Sequence, residues 1–227
     1  MKNIILLILI TCLNIISAKA QTENIGGYEY RLFEKKSSVL GEVDGSPYLH
    51  QDFLYGSLQL KNTKSLKVFL RYNVAYEEFE IKLGQETDEV FVIPIEKNVQ
   101  YNIGSTQFFL DKLFVGGNEV YGYFIELFNG DRYRLLKKPV VHVVDAVEAK
   151  NGFQDNEPAK ISVRSNYYLT DKKGENRKLD VNKRKLKKEF NNEMAKRYLS
   201  KHRIKTSEDL VNFISYIDNS STTTAIE

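Results

Sequence analysis

Short apolar segments separated by turn residues fill the chain between residues 53 and 144. Residues 79–83 alternate apolar and polar side chains, which is typical of a strand with one buried face. Residues 90–93 are apolar throughout, and Pro94 ends them because proline cannot donate to a strand ladder. With turns between them and no helices, these segments predict an antiparallel meander sheet that curls into a sandwich or barrel-like form. The other predicted strands are at residues 53–60, 66–72, 107–115, 119–128, 132–136 and 140–144.

Two glycine-containing turns are expected to join neighbouring strands of this sheet. Asn129-Gly130 separates two apolar segments and favours a type I′ hairpin turn, because both residue types tolerate a positive φ. Gly116-Gly117 marks another turn, and no helix follows it that could form a phosphate-binding loop. Residues 146–159 lose the apolar periodicity and predict a connecting loop, after which strands return at residues 160–164 and 167–169.

Helical periodicity replaces strand periodicity near the C-terminus. Asn192 followed by Glu193 has the composition of a helix start, so we predict two helices, at residues 182–189 and 192–202. A third helix begins with Ser207 as its cap, and residues 219–227 are expected to fray. The fold class is therefore α+β, mainly β, with a C-terminal cluster of two or three short helices. One apolar stripe should dock these helices, formed by Leu186, Phe190, Met194 and Tyr198, with Leu179 seven positions earlier.

The first twenty residues have the pattern of a secretory signal peptide. Lys2 precedes an apolar run, and Ala18 and Ala20 place small side chains where a signal peptidase cuts. We therefore expect cleavage before Gln21 and export to the periplasm or the extracellular space. A transmembrane anchor is a second interpretation, but the run is shorter than the roughly 18–20 residues that span a bilayer. Lipidation at Cys12 is a third, disfavoured because the residue before it suits that motif poorly.

Cys12 is the only cysteine, so the mature chain is expected to have none. Disulfides, thiolate metal sites and cysteine nucleophiles are thereby excluded, and no later segment is long and apolar enough to cross a membrane. An exported protein meets little DNA or RNA, which argues against nucleic acid as a partner. After the signal peptide at residues 1–20, the expected parts are an N-terminal segment 21–44, a β domain 45–145, a loop 146–159, a strand pair with a basic helical segment 160–218, and a tail 219–227.

Charge divides the chain at nearly the same place as the periodicity does. Residues 21–159 carry 15 Lys and Arg against 21 Asp and Glu, whereas residues 160–205 carry 16 against 5. These cations form either an anion-binding surface or only the solvated outer face of helices docked on the sheet. The acidic β region could also neutralise them within the molecule. We define the basic patch, the candidate ligand-binding site, as Lys183, Arg184, Lys185, Lys187 and Lys188.

No arrangement of residues in the sequence points to a catalytic site, a metal site or a cofactor. His50, His142 and His202 are far apart and lack the spacing of metal ligands. No nucleophile elbow, P-loop or dinucleotide fingerprint occurs. The acidic clusters at residues 77–80 and 86–89 could supply paired carboxylates, but on short strands and turns we expect them to be solvated.

Five short motifs are spread over residues 44–217: Gly45-Ser46-Pro47-Tyr48-Leu49, Leu70-Arg71-Tyr72-Asn73, Leu135-Leu136-Lys137-Lys138, Asn166-Tyr167-Tyr168-Leu169 and Ser207-Glu208-Asp209-Leu210-Val211. Together they resemble a family of small exported proteins common in Bacteroidota. The resemblance implies export and supplies no catalytic residues.

These observations favour an exported, non-enzymatic structural or interaction protein of the cell envelope. Its partner would be an envelope protein or glycan, or an anionic lipid headgroup bound by the basic patch. Two alternatives stay open. One is an envelope hydrolase with two acids in one pocket, and the other is a small-ligand carrier with an apolar cavity.

Overall fold

The computed structural model describes residues 22–25, 28–32, 43–60, 64–92, 95, 99–147 and 156–219. The protein is mainly β, with 52% strand and 18% helix, which confirms the predicted fold class. The predicted signal peptide and the tail beyond Asn219 lie outside the described residues. The strands are β1 (Thr22–Ile25), β2 (Tyr28–Leu32), β3 (Val43–Gly45), β4 (Leu54–Leu60), β5 (Leu66–Asn73), β6 (Glu78–Lys82), β7 (Phe91–Val92), β8 (Val99–Ile103), β9 (Thr106–Val115), β10 (Asn118–Asn129), β11 (Tyr133–Val144), β12 (Ala159–Asp171) and β13 (Asn176–Leu179); the helices are α1 (Lys183–Glu189), α2 (Glu193–Lys201) and α3 (Ser207–Asn219).

The strands form one sheet with the order β1-β2-β7-β6-β5-β4-β8-β9-β10-β11-β12-β13, and β3 pairs with β12. Neighbours are antiparallel except for β3 on β12 and β13 on β9. The second of these parallel contacts joins Asn176 to Val115 and closes β9 to β13 into a ring of five strands. The predicted antiparallel meander that curls on itself is therefore confirmed.

Three apolar clusters divide the interior. The sheet core lies mostly on the strands outside the ring and also includes Phe108 and Tyr123 of the ring strands β9 and β10. Aromatic rings fill it, and the ring centroids of Phe79 and Tyr101 are stacked 3.9 Å apart. The helix core packs Leu135 and its neighbours against α1, α2 and α3. Leu136 belongs to a third cluster, because adjacent strand residues face opposite sides. We call this third cluster the ring core, and it comprises Leu113, Phe124, Leu136 and Tyr168.

The two glycine turns differ from each other. Gly116 and Gly117 between β9 and β10 have φ angles of 57° and 82°, as a type I′ turn requires. The predicted hairpin at Asn129-Gly130 is present between β10 and β11, but neither residue has a positive φ, so the type I′ prediction is wrong there. The two strands instead flank a three-residue loop, and the Gly130 N–H donates to the Tyr133 carbonyl at 2.9 Å.

Strand β12 is one continuous element where two strands were predicted. It pairs with β11 in unbroken register from Tyr133 opposite Asp171 to Val144 opposite Lys160. Residues 165 and 166 are polar, which is why the sequence predicts a break there, but they remain paired with β11. Leu179 lies in β13 and not on a helix, yet it still joins the helix core. Residues 148–155 of the predicted loop lie outside the described part.

Each helix begins at a polar cap that satisfies its first backbone N–H groups. Asn182 accepts from Arg184 N and Lys185 N, and Asn192 accepts from Ala195 N as predicted. For α3 the predicted cap Ser207 is wrong by one position, because the hydroxyl that accepts from Asp209 N at 3.1 Å belongs to Thr206. The Asp209 carboxylate accepts in return from Lys205 N and Thr206 N, and these bonds lower the pKa of Asp209.

Candidate anion-binding face

Helices α1, α2 and α3, which we call the helical layer, pack on the ring partly through the apolar stripe that the sequence predicts. Leu186 and Phe190 are buried, whereas Met194 and Tyr198 are half-buried. The most buried side chains of α2 are Ala195 and Leu199, one position further along in each turn. Leu186, Phe190, Ala195 and Leu199 are buried in the helix core against residues of the ring, which leaves the opposite face of α1 and α2 to solvent.

A buried carboxylate fixes the end of α3 to the β10–β11 loop. Asp218 is 3% exposed and accepts backbone N–H groups from Asp131 at 2.9 Å, Arg132 at 2.8 Å and Tyr133 at 2.9 Å. The Arg132 guanidinium also donates to the Ile217 carbonyl at 3.3 Å. The helical layer is thus attached to the ring by a polar contact as well as by the apolar stripe.

Two residues of the basic patch are engaged within the helical layer. Lys185 Nζ lies 2.9 Å from the Asp180 carboxylate. Lys183 is half-buried and donates to the Ser200 carbonyl in the last turn of α2 at 3.4 Å. Such a contact suits a cation, because the last carbonyls of a helix carry partial negative charge.

The other three patch residues face solvent. Arg184, Lys187 and Lys188 are exposed, and none forms an ion pair with an acid among the residues that the structure describes. In α1, positions 184 and 188 stand about 160–200° from Leu186, and 187 about 100°, as the 3.6-residue period requires. These three cations define what we call the basic face.

The helical layer and the strands before it carry further exposed cations. Within the described residues, ion pairs of the helices involve only acids close in sequence, Asp180, Glu189 and Glu193. Among the described residues, no acid of the β region forms an ion pair with the helices. The hypothesis that the β region neutralises the helices therefore has no ion pair to support it there. Exposed cations without such a partner there include Lys172, Lys173, Lys178, Arg197, Lys201, Arg203 and Lys205.

In the β region, by contrast, the predicted acidic cluster at residues 77–80 forms ion pairs with nearby cations. Glu77 accepts from the Lys138 ammonium, from the Tyr72 hydroxyl at 2.6 Å and from Tyr123 N at 3.1 Å. The Lys138 side chain is 7% exposed. The pKa of Tyr72 is raised, first by burial of its own hydroxyl and then by the charge of Glu77. Glu77 itself has a positive φ of 55°. A side chain on Gly122 would overlap the Lys138 ammonium and the Glu77 carboxylate, so the pair requires glycine at this position.

Glu80 belongs to a second network on the outer face of the same strands. It pairs with Arg71 at 2.5 Å and accepts from the Tyr48 hydroxyl at 2.7 Å. The Arg71 guanidinium lies 3.9 Å from the Tyr48 ring centroid and 4.4 Å from that of Phe53. Burial, and secondarily the charge of Glu80, raises the pKa of Glu78.

The expectation of solvated acids is therefore half correct. Glu86, Asp88 and Glu89 are exposed as predicted. At residues 77–80 it is wrong, because Glu77 and Glu80 have buried or stacked cations as partners.

The histidines are dispersed, as their spacing predicted. His50 is exposed, His142 is half-buried in β11, and the His202 ring stacks on Tyr198 at 4.2 Å. Over the described ranges, no three His, Cys, Asp or Glu side chains come close enough to hold a metal ion. In the same ranges, no helix has the length and apolar composition to cross a membrane.

Comparison with protein-family models, with curated proteins and with solved structures gives no match to the chain. The resemblance to exported proteins of Bacteroidota therefore stays a prediction.

Proposed function

We propose that the protein is an exported, non-enzymatic interaction protein of the cell envelope, and that its basic face binds an anionic envelope surface. The observation that carries the proposal is the split within the helical layer. Its apolar residues Leu186, Phe190 and Leu199 are buried against the ring. Arg184, Lys187 and Lys188 are exposed and have no acid partners among the described residues.

A surface of anionic lipid headgroups suits this geometry better than a single protein ligand does. The cations sit on long, flexible side chains of an exposed helix face, which follow a diffuse charged surface without a fixed register. Each Lys or Arg near an anionic membrane surface contributes about 1 kcal/mol to binding. No base recognition or deep pocket is needed.

The contacts of the β region support a non-enzymatic role over the hydrolase. A carboxylate pair for hydrolysis needs oxygens directed at one substrate cleft. The oxygens of Glu77 and Glu80 instead accept from Lys138, Arg71 and tyrosine hydroxyls. The stacked rings of the sheet core likewise fill the space that a ligand carrier would leave open.

Vesicle binding tests the proposal. We expect the mature protein to cosediment with phosphatidylcholine vesicles that contain phosphatidylglycerol, and not with phosphatidylcholine alone. Replacing Lys187 and Lys188 by Gln together should weaken binding roughly 30-fold, since two cations contribute about 2 kcal/mol. Binding should also be lost in high salt, where the screening length falls from about 10 Å at 0.1 M to about 3 Å at 1 M.

The matched control replaces Lys64 and Lys67 by Gln. Both are exposed in the acidic β region, so the change in net charge is the same while the basic face stays intact. Equal losses in the two double variants would mean that net charge alone drives binding, and the basic face would have no special role.

Export is tested separately, by cell fractionation and N-terminal sequencing. The expected product begins at Gln21 and is found outside the cytoplasm. A full-length cytoplasmic chain that retains Met1 would contradict the export part of the proposal and leave the vesicle experiment unaffected.

A further inference from the structure

Strand β11 has an open edge along its second half. Its ladder with β10 ends where Ile125 lies opposite Lys137, whereas its ladder with β12 continues to Val144. Among the described residues, no strand pairs with the β10 side of residues 138–144. This part of β11 therefore presents backbone hydrogen-bonding groups that a further strand could use.

The Glu77 carboxylate marks the place where β10 and β11 separate. It accepts from Tyr123 N of β10 at 3.1 Å and from the Lys138 ammonium of β11. In a longer ladder, the carbonyl of Pro139 would be the acceptor for Tyr123 N. A charged side chain takes that position instead, so the fold itself ends the ladder at this point.

The same contact shows which backbone groups of β11 face the open edge. Alternate residues of a strand direct their N–H groups to the same side. Because the Tyr123 N–H points into the gap between the strands, the N–H of Ile125, two residues later, also points towards β11. Its partner Lys137 therefore directs its N–H towards β10. It follows that the odd-numbered residues of β11 have their N–H groups on the side of the open edge.

Pro139 agrees with this orientation. Proline has no N–H to donate, so within a sheet it is found where that side of the strand faces away from a ladder. β12 pairs with β11 through Pro139 without a break in register. Beyond Pro139, the N–H groups of Val141 and Val143 are the next ones directed to the open edge.

The side chains along this edge are apolar and read the same in both directions. Residues 140–144 are Val-Val-His-Val-Val. Val143 is 55% exposed and Val144 is 48% exposed, although the two side chains lie on opposite faces of the strand. Both faces are thus accessible, and an apolar edge of this kind favours pairing with another strand.

We propose that a second copy of the chain pairs with this edge in the antiparallel direction, with His142 of both copies on a twofold axis. In this register Val140 lies opposite Val144 of the second copy, and Val141 lies opposite its Val143. Every pair beside the axis is then a pair of valines, and β-branched residues that face each other stabilise antiparallel strands. The same patch serves both copies, as twofold symmetry requires. The inference is independent of the basic face.

Sedimentation velocity over a range of concentrations tests the association. Two short strand segments form a small interface, and interfaces below about 1,200 Å² are typical of weak complexes. We therefore expect a monomer that converts to a dimer as the concentration rises. Val143→Lys removes two symmetric valine pairs and should weaken the dimer roughly tenfold or more. Ser162→Lys is the matched control, because it adds the same charge at an exposed site of β12, away from the edge.

Cysteine variants of the mature protein, which has no other cysteine, test the register. Val141 and Val143 would exchange hydrogen bonds between the copies, so the two His142 residues form a non-hydrogen-bonded pair with Cα atoms about 4.5 Å apart. This separation suits a disulfide, and His142→Cys should give a covalent dimer with oxidised glutathione. Val143→Cys is more exposed but lies opposite Val141, so it should cross-link far less.

Hydrogen exchange distinguishes a second copy from any other occupant of the edge. The Val141 and Val143 amides should exchange quickly in dilute protein and slowly in concentrated protein. Slow exchange in a monomer would mean that the chain covers its own edge. Fast exchange with a monomer at every concentration would leave the edge to a different protein. Either result, equal losses for Val143→Lys and Ser162→Lys, or cross-linking at residue 143 as readily as at 142 would overturn the inference and leave vesicle binding unaffected.

Discussion

The β region and the helical layer use their charges in opposite ways. In the β region Lys138 and Arg71 are both largely buried or stacked, and each has a glutamate as its partner. In the helical layer the exposed cations Arg184, Lys187 and Lys188 have none among the described residues. Charge that ties strands together contributes to the fold, whereas charge displayed on a docked helix is available to a partner. Abundance of charge in the sequence therefore says little about function until its pairing is known.

Removal of the Asp218 carboxylate should destabilise the protein more than any other change considered below. Asp218→Ala removes the acceptor of three backbone N–H groups in a buried place, so the free energy of unfolding should fall by about 3 kcal/mol or more. Urea denaturation measures the loss. Asn219→Ala, an exposed neighbour in the same helix, serves as the control. An unchanged midpoint for Asp218→Ala would mean that the apolar stripe alone holds the helical layer.

A second, somewhat smaller effect is expected where Lys138 meets Glu77. Lys138→Met keeps most of the aliphatic stem but leaves Glu77 without its cation, and breaking a buried pair costs about 3–5 kcal/mol. We expect the lower end of that range, because the Glu77 side chain is 28% exposed and can be solvated. Thermal or urea unfolding measures it.

Lys137→Met is the matched control for this variant. It lies on the opposite face of the same strand and is only half-buried. Equal stability of the two variants would contradict the idea that the β region depends on its internal ion pairs.

The smallest effect concerns the Tyr48 hydroxyl. Burial, and then its hydrogen bond to Glu80, raises the pKa of Tyr48 from 10.0 to about 12. A pKa that is raised in the folded state contributes stability below pH 10, and this contribution is lost as the pH rises towards 12. The Tyr48 phenol should titrate late, and Tyr48→Phe should reduce the late component of the phenolate absorbance, to which Tyr72 also contributes, and flatten this part of the stability profile. Titration of Tyr48 at its ordinary pKa would contradict the network around Glu80.

The local hydrophobic pattern predicted the strands and helices, but not the hydrogen bonds and ion pairs that connect them. The stripe through Leu186 and Phe190 follows from helical spacing. The sequence pattern did not identify Ala195 and Leu199 as the buried residues of α2. Steps of four residues from Leu186 lead to Tyr198, but the break between α1 and α2 moves the buried positions of α2 one residue further along. Lys138 had a usable signal, since it lies two residues from Leu136 and so faces the same side of the strand.

Contacts between distant residues left no such signal. The Arg71 guanidinium lies over the rings of Tyr48 and Phe53, and the Asp218 carboxylate binds the backbone of Arg132. Both contacts join residues that are well separated in the sequence. The β10–β11 loop and the turn after β12 likewise meet because the register of β11 with β12 sets Tyr133 opposite Asp171. A single sequence shows charge at each position but not which charges meet.

The carboxylate of Asp218 has a consequence for how the chain folds. Its partners in the β10–β11 loop were synthesised 85 to 87 residues earlier. The β10–β11 hairpin is therefore synthesised well before the side chain that completes its loop. Contacts of such long sequence separation form slowly, so the final structure is reached only after the last helix has been released.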